Sequence, residues 1–378
     1  MNALHLAEQA TLGALMLERD LAESVTGWLR AEDFADPWHR DVFASMRELH
    51  AAHAALDPQR VASAMIDRVG HQQAHQPHLI DLLQAAPIRP HGRRYAAMVL
   101  EASLRRQVAG QGVLLRAAAL SAALSGHGRS VVGVTAMVDD ALDRAEDRWS
   151  AAAGGRRVEH VAVGSGSERP SRGTEWQLAG LGADRLLQAH PPLDSAAVSE
   201  REAHLIAALV SHPEQIAGTA TWLRTDAISD PAWRPVYAAA VQLTELAQPV
   251  DVVTVAWEVR RTAARLGPGP GTRDLRDAVD AHAADDATYL GRVVAGDHLR
   301  RTADHAAQAL HAAAANPGVD LTDVLATGHL LTGALRDSAA ALSSPHLAQT
   351  GSSRAPGRTA ARTRSRGPAS ATVLQVGR

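Results

Sequence analysis

Apolar residues recur at helical spacing along most of this chain, and the pattern runs through twice. Over Ala7–Leu17 the apolar positions Leu12, Leu15 and Met16 share one helical face. A second helix is expected over Asp20–Arg30. Asp36-Pro37 is a helix start, because Asp can cap the first turn and Pro lacks an N–H that the first turn does not need. The helix it opens runs to about Ala52, with Val42, Phe43, Met46 and Leu49 on one face. Asp57-Pro58 repeats the signal ahead of Val61, Met65 and Val69. A shorter helix near His78–Gln84, a long stretch over 92–124 and a last one over Val131–Ala151 follow. The same order returns at 200–211, 213–223, 231–247, 251–265, 273–281, 286–315 and 319–342, with Pro213 at another first turn. Gly267–Gly271 (GPGPG) reads as a turn, since no strand precedes it.

The recurrence extends to the residues themselves. At an offset of 194, residues 8–62 align on 202–256 without a gap. Identical pairs include Glu8/Glu202, Leu15/Leu209, Trp28/Trp222, Leu29/Leu223, Arg30/Arg224, Asp36/Asp230, Pro37/Pro231, Arg40/Arg234 and Asp57/Asp251. Phe43 meets Tyr237, Tyr95 meets Tyr289, and after a one-residue slip Leu104-Arg105-Arg106 meets Leu299-Arg300-Arg301. A period this long is not a solenoid repeat; it implies two copies of one domain. The expected organisation is a first copy over 1–151, a flexible linker over 152–198 with a short helical piece between Gln177 and His190, a diverged second copy over 199–342 and a disordered basic tail over 343–378.

Composition supports an all-α fold of two tandem helical domains. Ala fills 77 of 378 positions and aromatics only 3%, which suits helices better than a sandwich rich in β-branched and aromatic residues. There is no lysine, so all 38 basic residues are Arg. A phosphate-binding P-loop needs its Lys on the β/γ-phosphates, and Schiff-base or pyridoxal phosphate chemistry needs one too. There is also no Cys, hence no disulfide, thiolate nucleophile or Cys-ligated zinc. The start, MNALHLAEQATLGALML, lacks the basic region of a signal peptide, and no apolar run approaches a membrane span. A soluble cytoplasmic protein without cofactor is expected.

Candidate chemistry is sparse. His71, His75 and His78 have metal-like spacing, but Pro77 and the absence of a carboxylate before Asp81 read as a loop, and no metal site is expected. Asp139/Asp140 and Asp285/Asp286 read as helix-start or solvated charges rather than an acid/base pair. No nucleophile elbow occurs. Gly164 and Gly166 form a GxG inside the linker, with no third Gly and no βαβ unit. Trp28, Trp222, Trp38 and Trp233 are expected to pack between helices. Residues 338–378 hold six Arg and no acid, leaving 32 Arg against 41 acidic residues elsewhere. Arg354, Arg358, Arg362, Arg364 and Arg366 are therefore the candidate nucleic-acid contacts.

Glu8–Leu15, Trp28–Phe34, His39–Phe43, Asp57–Val61 and Tyr95–Val99 together resemble the N-terminal domain of DnaB-type replicative helicases. Glu8-Gln9-Ala10-Thr11-Leu12-Gly13-Ala14-Leu15 resembles that family's opening E-x-A-V-L-G-A-L/I-L. Trp28–Phe34 is similar to its L-x-P-E-D-F segment, and His39-Arg40-Asp41-Val42-Phe43 to H-R-x-I-F. Leu49 with Asp57–Val61, and Leu79–Pro87 with Tyr95–Val99, continue the match. The second copy departs where Ile228 replaces Phe34 and Trp233 replaces His39.

The resemblance implies a compact helical head followed by a long helical hairpin through which such domains pair. It implies a collar role in the primosome, with a replicative helicase or primase as partner, and self-association through the hairpins. ATP hydrolysis belongs to a separate RecA-like domain in that family, so no enzymatic activity is expected from these residues. The alternative is a nucleic-acid-associated regulator or dimerisation protein without a replisome role. A further reading is a subunit that joins an ATPase encoded elsewhere. Tandem copies raise the effective concentration of hairpin pairing, so 95–150 and 289–342 are expected to pair within one chain. A flexible linker of this length spans roughly 35–40 Å, enough to allow it.

Overall fold

A computed structural model of the chain describes residues 2–18, 20–71, 76–88, 90–154, 172–282 and 286–343. In the first half, α1 (Ala3–Leu17) is capped by the Asn2 side chain, which accepts from the Leu4 and His5 N–H groups. A short α2 (Leu21–Val25) and a 3-10 turn (Ala31–Asp33) lead to α3 (Pro37–Ala51). Then come α4 (Pro58–Val69), α5 (Gln76–Ala85), α6 (Gly92–Ser125) and α7 (Arg129–Ala152). The two Asp-Pro signals act as expected: Asp36 and Asp57 each accept two N–H groups of the first turn they cap.

After α8 (Arg172–Ala189) the order repeats. It runs α9 (Ser195–Ser211), α10 (Ile216–Ala220), α11 (Arg234–Glu245), α12 (Val252–Leu266), α13 (Thr272–His282), α14 (Ala287–Ala315) and α15 (Leu321–Leu342). Three-residue 3-10 turns sit at Pro213–Gln215 and Thr225–Ala227. No strand occurs among the described residues. The protein is all-α.

Three local departures have physical causes. The helix expected from 231 begins at Arg234, because Pro235 can occupy only a first turn, and Asp230 instead closes a short turn onto the Ala232 N–H. The helix expected over Asp20–Arg30 ends at Val25, where the carbonyls of Val25 and Ala22 accept from Trp28, Leu29 and Thr26 in a closing turn. The span 152–198, expected as a flexible linker around a short helical piece after Gln177, holds α8, which starts earlier than that piece, at Arg172. That helix packs on α6 with Ala183 buried and Leu186 and Leu187 half-buried, so it has an apolar face to lose to water. Gly164 and Gly166 lie outside the described residues.

The core of each head is made of the pairs expected from the repeat. The tilted rings of Phe34 and Phe43 lie with centres 4.9 Å apart, and Leu12, Leu29 and Val42 are fully buried too. Ile228 and Tyr237 take their places in the second half, and the buried Tyr237 hydroxyl donates to the Leu223 carbonyl at 2.7 Å. Trp28 and Trp222 are both buried, as expected of packing residues. By length and composition α6 could cross a membrane. Here its apolar positions Val99, Leu100, Leu104 and Leu115 are buried inside the protein, and Arg93, Arg94, Arg105, Arg106 and Arg116 interrupt it.

Candidate protein-interaction surface

Each head hangs on a buried glutamate near the end of the second turn of its first helix. Glu8 is 1% exposed and accepts from the N–H groups of Ala35 (2.6 Å) and Asp36 (3.4 Å) and pairs with His39 Nδ1 (2.8 Å). Burial alone would push its carboxyl up, but the hydrogen bonds from His39, Ala35 and Asp36 together hold it below the usual glutamate range. Glu202 repeats the arrangement, accepting from the N–H groups of Ser229 and Asp230 at 2.8 Å each. Where the first half has His39, the second has Trp233, and Glu202 accepts instead from Ser229 Oγ (2.7 Å) and Arg301 (3.2 Å). The paired arginines of the self-match do the same work: Arg106 donates to the Asp33 carbonyl at 2.6 Å and Arg301 to the Ala227 carbonyl at 2.7 Å.

The first half adds a buried ion pair that the second lacks. Asp33 is fully buried and accepts from Arg148, from Ser103 Oγ (2.8 Å) and from the Arg30 N–H (2.7 Å). Arg148 also donates to the Trp28 carbonyl at 2.9 Å, which ties the end of α7 to the head. Ala227 replaces Asp33 in the second half, and α15 brings no arginine there, its one arginine being Arg336. Both charges are absent together, as they must be, since either alone would be a buried unpaired charge.

The two hairpins, α6–α7 and α14–α15, pack on each other. α6 and α14 run antiparallel, with Gly112 against Ala307, Ala123 against Gly296 and Arg116 donating to Asp304 at 2.6 Å. Small residues let the backbones approach: a Cβ at Gly112 would lie 2.9 Å from the Ala307 Cβ, and one at Gly328 on α15 would lie 2.7 Å from Leu142 on α7. Ala118, Ala119 and Ala122 on α6, and Ala303, Ala306 and Leu310 on α14, are buried. Arg105 reaches the turn between α14 and α15, donating to the carbonyls of Asn316 (3.0 Å) and Val319 (2.6 Å). Across α7 and α15, Asp139 accepts from Thr332 (2.5 Å) and Arg336 (3.0 Å), with His329 at 3.3 Å. By its sequence Asp139 is a helix-start or solvated charge; it lies in the middle of α7, and its partners on α15 give it a role. Asp286 does cap α14, as a helix-start charge should.

Between α1, α3 and α5 lies an open cleft of about 690 Å³ lined by His5, Asp36, Trp38, His39, His78 and Asp81 among others. Trp38, expected to pack, lines this cleft, with the His78 ring edge-on to it at 5.8 Å. Of His71, His75 and His78, His75 lies outside the described residues. A different set of possible metal donors comes together instead: those of His5, Glu8 and His39 lie within 4.8 Å of one another. Arg354, Arg358, Arg362, Arg364 and Arg366 lie outside the described residues.

Comparison with known proteins agrees with this geometry. The DnaB-like helicase N-terminal domain family matches residues 1–101 and 195–289, together just over half of the chain. Replicative DNA helicase DnaB of Mycobacterium leprae (strain TN) is 32% identical over 104 residues, covering 27% of this chain and 17% of that protein. The chain thus spans less than a fifth of the length of that relative. No solved structure matches. The two matched segments cover both heads and the starts of both long helices, and the chain belongs to the DnaB-like helicase N-terminal domain family.

Proposed function

We propose that this chain is a non-enzymatic interaction component of the DNA-replication machinery. In this reading 1–151 and 199–342 are two domains of the family, 152–198 joins them, and 343–378 is a basic tail. The observation that carries the proposal is the antiparallel pairing of α6 with α14 inside one chain, fixed by Arg116–Asp304 and by the Gly112–Ala307 approach. Pairing surfaces of both halves are occupied by each other, so the heads are the surfaces left for a partner. The name of the relative, a replicative DNA helicase, points to a replicative helicase or its primase in the cytoplasm as that partner. Arg354, Arg358, Arg362, Arg364 and Arg366 would add weak, sequence-independent contact with nucleic acid.

The test is binding of the purified full chain to the host's replicative helicase and primase, each measured by co-sedimentation, with ATP turnover assayed in parallel. Binding to either, without turnover by the chain alone, supports the proposal. Binding to neither, with shifted DNA as the only activity, would transfer it to the nucleic-acid-associated class.

A further inference from the structure

We propose that His5, Glu8 and His39 form a binding site for a divalent transition-metal ion of the zinc, cobalt or nickel class, on the inner wall of the cleft between α1 and α3. The two helices bring the donors together by their N-terminal turns. His5 and Glu8 are three residues apart on α1 and share a face. His39 sits in the first turn of α3, behind the Asp36 cap. One donor atom from each of the three lies within 4.8 Å of the other two.

The spacing suits a metal. Zinc–nitrogen and zinc–oxygen bonds of about 2.0–2.2 Å place adjacent ligand atoms roughly 2.9–3.4 Å apart, depending on the angle between them. His39 Nδ1 and Glu8 Oε2 are already 2.8 Å apart. An ion entering there takes the place of the proton shared between them, while Glu8 Oε1 stays anchored on the Ala35 N–H at 2.6 Å. His5 is the adjustable ligand. Its ring lies over that of His39, centres 4.9 Å apart, and its side chain is 37% exposed at the mouth of the cleft. The Asp36 Oδ2 atom stands 3.7 Å from His5 Nδ1, where a carboxylate can orient the imidazole, because Oδ1 alone serves the cap. Glu8 and Asp36 also offset the positive ends of the two helices, which would otherwise oppose a cation. Two imidazoles and a carboxylate suit this metal class and not magnesium or calcium, which take oxygen ligands. The open cleft leaves the remaining coordination positions to water.

The second half serves as an internal comparison. Glu202 is kept, but Ser199 stands where His5 does and Trp233 where His39 does. Glu202 is nonetheless fully satisfied, by two backbone N–H groups, Ser229 Oγ and Arg301. The head fold therefore does not require histidine at either position, and the two histidines of the first half are in excess of the structural need.

The experiment titrates the chelator-treated full chain with zinc by calorimetry, and follows histidine ring nitrogens by NMR. The expected result is one site, with the His5 and His39 ring signals moving while those of His298 and His329 stay. His5→Ala removes a half-exposed ligand without touching the core, and should weaken that site by about tenfold or more, the scale at which even outer-shell losses act. Cobalt should give an absorption spectrum whose titration midpoint His5→Ala moves to correspondingly higher cobalt. Zinc binding that His5→Ala leaves unchanged, His5 and His39 signals that do not move, or equal competition by magnesium would each overturn the assignment.

Discussion

Gly112 on α6 faces Ala307 on α14, and under the one-residue slip that aligns Leu104 with Leu299 these two residues are counterparts. A position of the first half touches its own equivalent in the second. The local two-fold axis of a hairpin dimer therefore passes between them, inside a single chain, with the isologous geometry usual between identical subunits.

The chain should consequently be monomeric through this face. Light scattering across a wide dilution series is expected to return a constant mass near 39.9 kDa. A mass that falls from twice that value on dilution would mean that the hairpins pair between chains instead.

Close approach at the axis makes Gly112 intolerant. Gly112→Leu drives a side chain into Ala307 and should cost about 1–3 kcal/mol, the usual penalty of overpacking. Gly110, two residues away, has open space around its Cβ position. Gly110→Ala should be neutral or stabilise by about 0.5–1 kcal/mol through helix propensity. Urea midpoints of the two variants check the contrast; equal effects would show that α6 does not sit this close to α14.

The buried pair Asp33–Arg148 should behave as a unit. Arg148→Ala leaves Asp33 uncompensated in the interior and is expected to cost about 3–5 kcal/mol. Asp33→Ala with Arg148→Leu imitates the apolar solution of the second half and should cost clearly less. A double variant as unstable as the single one would mean that the two charges act independently.

Glu8 sets a pH dependence. Its carboxyl is held below the usual glutamate range in the folded state, so its stabilisation is present above the unfolded value and is lost as pH falls through the lower folded one. The window opens near the ordinary glutamate value of about 4.3 and extends downward. Unfolding free energies measured through it should fall more steeply for the natural chain than for Glu8→Gln. Parallel curves would remove Glu8 from the acid response.

For the tail, a chain ending at Leu342 should bind duplex DNA more weakly than the full chain. If about four arginines meet phosphates, the slope of log K against log salt for the full chain should be roughly −3 to −4. Equal binding by both chains would show that Arg354–Arg366 contribute nothing.

Much of this fold is legible in the sequence, because its signals are local. Asp36-Pro37 and Asp57-Pro58 start helices by capping chemistry that needs no tertiary contact. The repeat also carries Glu8/Glu202 and Arg106/Arg301, whose bonds to the segment ahead of α3 and of α11 match in both halves. What is hidden depends on distant partners. Asp139 reads as a surface charge until Thr332 and Arg336 come to meet it. His5 and His39 are 34 positions apart with no motif between them, so only the docking of α1 on α3 brings their rings together. Of helix α8 only the part after Gln177 is legible; the Gly- and Arg-rich composition ahead of it hides its start, and the helix rests on the face it lays against α6.

In a homodimer every substitution enters twice, and both sides of the axis must tolerate it at once. A two-fold axis enclosed in one chain lifts that constraint. A change at Asp33 is not imposed on Ala227, nor one at His39 on Trp233. The heads can diverge while the hairpins that hold them remain matched. One head can keep an inherited surface as the other acquires a new one, in a fixed one-to-one ratio that no change in expression level can disturb.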